Sequence, residues 1–97
     1  MTALETLRTG FQRDVLRAVA VNEPTKGSRV KETLLADYED ITHGRLYPTL
    51  DALVDRGFVN KQTREPDNRS NQYEVTDKGR NALSELTAGY EEVAAHV

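Results

Sequence analysis

The chain has 97 residues, no cysteine, and 13 Lys and Arg against 16 Asp and Glu, a formal charge of −3. That length makes one domain with a small core and little room for a catalytic pocket. The missing cysteine excludes disulfides, thiolate metal sites and thiol chemistry. Thr2-x-x-Glu5 and Thr9-x-x-Gln12 both fit capping boxes, so a first helix is predicted to run to about Val21, with room for a break near Gly10. Its apolar positions are Leu4, Leu7, Phe11, Val15, Leu16 and Val19. Residues 22–27 read as a loop. A second helix is predicted from about Ser28 to Tyr38, with Val30, Leu34, Leu35 and Tyr38 inward, and Glu39-Asp40 as the turn after it. The third spans about Thr42 to Arg56: Thr42 can cap it, Leu46, Leu50, Leu53 and Val54 form one apolar face, and Gly57 suits a left-handed C-cap.

Two strands follow, Phe58 to Arg64 and Asn71 to Thr76, joined by the turn-forming run 65–70. Tyr73 and Val75 alternate with Gln72 and Glu74, as a half-buried strand requires. Thr76 is placed to cap a last helix, in which Leu83, Leu86, Tyr90, Val93 and Val97 step as a heptad seam. The expected fold is α+β, mainly α: a winged helix-turn-helix with a C-terminal dimerisation helix. Residues 1–97 read as one domain. The last helix would span about 30 Å from Lys78 at 1.5 Å per residue, longer than so small a core can cover. The remainder calls for a second copy of the chain, most simply a two-fold dimer.

The negative charge argues at first against a nucleic-acid partner. After Arg80, however, the chain carries Glu85, Glu91 and Glu92 and no Lys or Arg, so residues 1–80 sum to zero and a local positive face is open to it. Arginine outnumbers lysine nine to four, which with the acidic balance points weakly to a salt-loving source. The N-terminus lacks a signal-peptide layout, and no apolar run approaches the roughly 20 residues of a membrane span. A soluble, cytoplasmic protein with no membrane partner is expected.

Gly44, Arg45, Pro48 and Thr49 lie away from the apolar face of the third helix, and Thr42 and His43 stand at its N-terminus. A helix N-terminus offers free N–H groups to phosphates, Arg can bond guanine bidentately, and Thr can offer a methyl to thymine. Pro48 forfeits the backbone bond to Gly44; it is either a helix irregularity or a bend that aims the first turn into a groove. Asp51 and Asp55 share the outward side but come later in the helix. Tyr47 flanks the apolar face and suits core or dimer packing as well as a phosphate. In the hairpin, Lys61, Arg64, Arg69 and Ser70 are candidate phosphate or minor-groove contacts, against Glu65 and Asp67 and the plain reading of a solvated wing. Lys26, Ser28 and Arg29 begin the second helix and could brace a phosphate, although any surface helix can start this way. His43 and His96 have no metal-ligand spacing, and nothing points to a catalytic triad, a glycine-rich phosphate loop or a cofactor. No metal, cofactor or enzymatic activity is therefore expected.

G-R-L-Y-P-T-L-D-A-L-V-D-R-G-F-V (44–59) and Q-Y-E-V-T-D-K-G-R-N-A-L (72–83) resemble the PadR-like winged-helix transcription regulators. F-Q-R-D-V-L (11–16) and H-G-R-L-Y-P (43–48) look like the haloarchaeal branch of that family. The likeness covers about residues 10–85. It implies a dimeric DNA-binding regulator, usually a repressor, that dimerises through its last and first helices, with a DNA-binding core over about 10–76 and a dimerisation part from 77–97 together with 1–10. Leu4, Leu7, Phe11, Leu83, Leu86, Tyr90 and Val93 would then form the dimer contacts. The chain departs from the family in ending after one short C-terminal helix and in lacking the positive charge of many members. The partners expected are double-stranded DNA, at an inverted repeat, and a second copy of the chain; the sequence assigns no effector ligand. The competing expectation is a winged-helix module for protein–protein contact without DNA binding, since the fold serves both roles.

Overall fold

A computed structural model of the protein describes residues 10–63 and 71–85. Leu4, Leu7, Arg64, Arg69, Ser70, Leu86, Tyr90 and Val93 lie outside the described residues, as do the first capping box, Thr9 of the second and most of the heptad seam. The elements run α1 (Gly10–Asn22), α2 (Gly27–Leu34), α3 (His43–Asp55), β1 (Val59–Gln62) and β2 (Gln72–Val75). Residues 77–85 are helical and are called α4. The strands pair antiparallel with Val59 opposite Val75 and Gln62 opposite Gln72. This is the winged-helix order that the sequence predicts.

Each helix contributes its apolar stripe to one core. Val15, Leu16 and Val19 of α1, Val30 and Leu34 of α2, and Leu46, Leu50 and Leu53 of α3 are buried together with Ile41, Phe58, Tyr73, Val75 and Ala82. Val54 and Leu83 pack half-buried at its margin. Phe11, expected at a dimer seam, is buried within its own chain, where its ring meets Tyr38 edge-on at 5.5 Å.

Several expectations are corrected. α2 stops at Leu34, not Tyr38, and its last turn tightens: Ala36 N–H reaches the Thr33 carbonyl and Asp37 N–H that of Leu34. The chain thereby turns away from the helix axis, which leaves Leu35 42% exposed rather than inward. Thr42 occupies the N-cap of α3 in an extended conformation, but its side chain makes no cap bond. Both strands are shorter than predicted. Gly57 does take the left-handed conformation, at φ +82°, directly after the C-cap Arg56. Thr76 caps α4 as predicted, its Oγ1 accepting the Gly79 N–H at 3.1 Å.

The segment 22–27 is more than a loop. Thr25 N–H donates to the Tyr73 carbonyl at 3.0 Å, and Tyr73 N–H donates to that of Thr25 at 2.7 Å. Thr25 is thus a one-residue third strand on the free edge of β2. Beside it, Glu23 accepts the Val75 N–H at 2.7 Å and pairs with Arg80 of α4. These contacts tie the start of α2 to the base of the wing.

Candidate nucleic-acid interface

The first turn of α3 stands in solvent: Thr42, His43, Gly44 and Arg45 are all exposed, as is Pro48. No acidic residue occurs in that turn. Pro48 has no N–H to give the Gly44 carbonyl, yet the helix runs unbroken from His43 to Asp55. Leu46 and Leu50, buried on either side of it, hold the segment against the core. Thr49 is half-buried and donates its hydroxyl to the Arg45 carbonyl at 2.9 Å, which adds a donor beside the site of the lost bond.

Two neighbours of this turn were not legible in the sequence. The Arg45 guanidinium lies over the Phe11 ring, 3.9 Å from its centroid, and 5.5 Å from that of Tyr38. Tyr38 in turn donates its hydroxyl to Asp14. That hydrogen bond, helped by burial, holds the Tyr38 phenol above its ordinary pKa. Tyr47, left open between core, dimer and phosphate roles, packs within the chain. A Cβ built on Gly27 would come within 2.7–2.9 Å of its ring and hydroxyl. Glycine at the start of α2 thus leaves room for the tip of the Tyr47 ring. The His43 ring lies 5.3 Å from that of Tyr47.

Lys61 of β1 reaches Asp51 of α3, 3.7 Å apart. The hairpin cation and the helix acid therefore largely cancel, although as an exposed pair they add little to stability. Lys26, Ser28 and Arg29 are exposed along the rim of a cleft at the start of α2. Lys26 provides no side-chain cap, and the Arg29 N–H turns back to the Lys26 carbonyl at 3.1 Å. Arg29 meets Glu32 at 3.8 Å. Between the α2 start and the wing, Asn71 is buried, with its Oδ1 unpartnered among the described residues. Burial pushes the neighbouring Tyr73 phenol up, against a hydrogen bond with Asn71 that pulls it down. Structure thus brings together the α3 start, the α2 start and Lys61 on neighbouring elements.

Among the described residues no cluster of three or more His, Asp or Glu could hold a metal, and no helix is long and apolar enough to cross a membrane.

Comparison with known proteins agrees with this geometry. None of the curated proteins matches the chain significantly. Among solved structures, the complex structure of hsRosR-S4 is 35% identical, with 93% of this chain and 76% of that chain covered and a TM-score of 0.76. RosR of H. salinarum grown from NaBr is 34% identical over 90% of this chain and 78% of that one, at a TM-score of 0.74. Their similarity fits the haloarchaeal motifs read at 11–16 and 43–48. In fold alone, the chain is like a winged-helix DNA-binding protein, F93 from STIV, at 20% identity, 94% and 98% coverage and a TM-score of 0.72. The model of the transcriptional regulator PadR-like family matches residues 15–85, which span α1 through α4. The chain belongs to that family, and it is a winged-helix DNA-binding transcription regulator rather than an enzyme.

Proposed function

We propose that the protein is a repressor that binds an inverted-repeat operator as a homodimer, with α3 in the major groove and the hairpin on the flanking backbone. The supporting observation is how charge is sorted in an acidic chain. Neither α2 nor α3 has an acidic residue in its first turn, and these are the two helix starts that lie in solvent beside the wing. Helix N-termini attract phosphates, and carboxylates there would repel them. In this reading Thr42, His43, Gly44, Arg45, Pro48 and Thr49 approach the bases. Lys26, Ser28 and Arg29 brace one phosphate strand, and Lys61, Arg64, Arg69 and Ser70 track another. The dimer forms through Leu83, Leu86, Tyr90 and Val93 of the last helix with Leu4 and Leu7 of the first. It occupies a promoter in the cytoplasm.

Selection from random duplexes at low and high salt tests this. A recovered inverted repeat, bound with a steep salt dependence, supports it. Failure to enrich any sequence at either salt would move the protein to the protein-contact role.

A further inference from the structure

Three elements converge on one side chain. Arg45 leaves α3, Phe11 belongs to α1, and Tyr38 follows α2, yet the guanidinium sits in the crook of the two rings, which meet at 87°. Tyr38 is fixed in turn by its hydrogen bond to Asp14, which lies one turn along α1 from Phe11. Arg45 is exposed and makes no ion pair among the described residues, so the aromatic seat is its principal partner.

A guanidinium stacks through its flat face, whereas its N–H donors lie in its plane and leave by the edges. Bidentate reading of guanine uses an edge. Stacking on Phe11 and bonding a base are therefore compatible, and the stack removes rotamer freedom that a free arginine would lose on binding. We propose that Phe11 and Tyr38 are positioning residues for base reading by Arg45, with Asp14 holding the Tyr38 ring in place. This rests on the reading of α3 as the element that enters the groove. The opposite device, an arginine parked away from DNA, would make loss of the rings improve binding.

The test uses the full-length protein and duplexes recovered by selection with the unaltered chain. Binding is measured on the matched duplex and on one changed at the base pair whose preference Arg45→Ala relaxes. Tyr38→Leu, which keeps an apolar group at a half-buried site, should cut discrimination at that base pair about two- to fivefold, the range of an exposed cation–π contact. Phe11→Leu should do the same, and Tyr38→Leu reads the seat even where Phe11→Leu is poorly folded. Tyr38→Phe keeps the ring and should retain most of the discrimination. The salt slope should stay unchanged throughout, because no cation is lost. In an Arg45→Ala background Tyr38→Leu should remove nothing further, a result that general loosening of the fold would not give. Unchanged or tighter binding by Tyr38→Leu, with Arg45→Ala still relaxing the base, overturns the seat alone. If Arg45→Ala relaxes no base while DNA is still bound, the seat and base reading by Arg45 fall together. Absence of any DNA binding by the unaltered chain overturns the seat and the proposed function.

Discussion

Gly44 shows how a single residue can separate stability from function. It lies in the first turn of α3, its φ is not positive, and the nearest atom to an added Cβ is the Thr42 hydroxyl oxygen at 3.9 Å. Nothing inside the chain requires glycine there, and in a helix glycine costs up to about 1 kcal/mol relative to alanine. Gly79 is the contrast: a Cβ there would fall 2.3 Å from the Phe58 carbonyl oxygen, so that glycine is required by the fold. In the proposed complex Gly44 would let α3 approach DNA closely. Gly44→Ala is expected to raise the melting temperature by a few degrees, from roughly 4–8 °C per kcal/mol for a domain of this size, and to weaken binding to the selected duplex. Thermal melting and titration on one preparation check both halves. A variant that is more stable and binds equally well would remove Gly44 from the interface.

At the scale of elements, the wing meets its neighbours on two sides, and each contact carries a prediction. On one side Glu23 takes the Val75 N–H and pairs with Arg80. Its side chain is only 17% accessible, so removing it strands a backbone donor at the edge of β2. Hydrogen bonds to charged groups contribute about 1.5–3 kcal/mol, and Glu23→Ala should lower stability by about that much in denaturant unfolding. A change below roughly 0.5 kcal/mol, the range of ordinary surface substitutions, would show that the contact does not hold the wing. On the other side Asp51 neutralises Lys61. Asp51→Asn removes that competing carboxylate and should leave the lysine wholly to the phosphate proposed for it, tightening DNA binding and steepening the salt slope by up to about one. An unaltered slope would place Lys61 away from the backbone. Neither contact could be read from the sequence, because both join residues distant in the chain and depend on side-chain reach. Periodicity did carry the helices: the burial of Leu46, Leu50 and Leu53 follows directly from their spacing. The caps at Gly57 and Thr76 were equally legible, since each depends on local backbone chemistry. Thr25 was not, because a one-residue strand has no period to detect. The α3 start was legible as exposed and polar, while the seat beneath Arg45 needed the packing of three elements.

At the scale of the molecule, the question is how a chain of net charge −3 can hold a polyanion. Its acids are unevenly placed: Glu85, Glu91 and Glu92 follow Arg80 with no Lys or Arg, whereas the starts of α2 and α3 carry no acid. A two-fold dimer closed through the last helices would gather those glutamates at one end and leave the two α3 helices to face DNA together. Leu86→Glu places a charge in the proposed seam, and an unpaired charge in a buried interface costs several kcal/mol. The variant should sediment as a monomer and bind DNA far more weakly; an unchanged dimer would show that the seam lies elsewhere. Two α3 helices related by a two-fold axis can enter the same face of B-DNA only about one helical turn apart, roughly 10 base pairs centre to centre. The protected site should therefore be an inverted repeat with that spacing, flanked by backbone contacts where the wings reach out. In the monomeric variant the same duplex should show a single weak half-site, because each half retains its own contacts but loses the second helix. Footprinting of both proteins on one selected duplex distinguishes the cases: symmetric protection lost on Leu86→Glu ties operator symmetry to the dimer, whereas an asymmetric site with the unaltered protein would mean that the chain reads DNA one copy at a time.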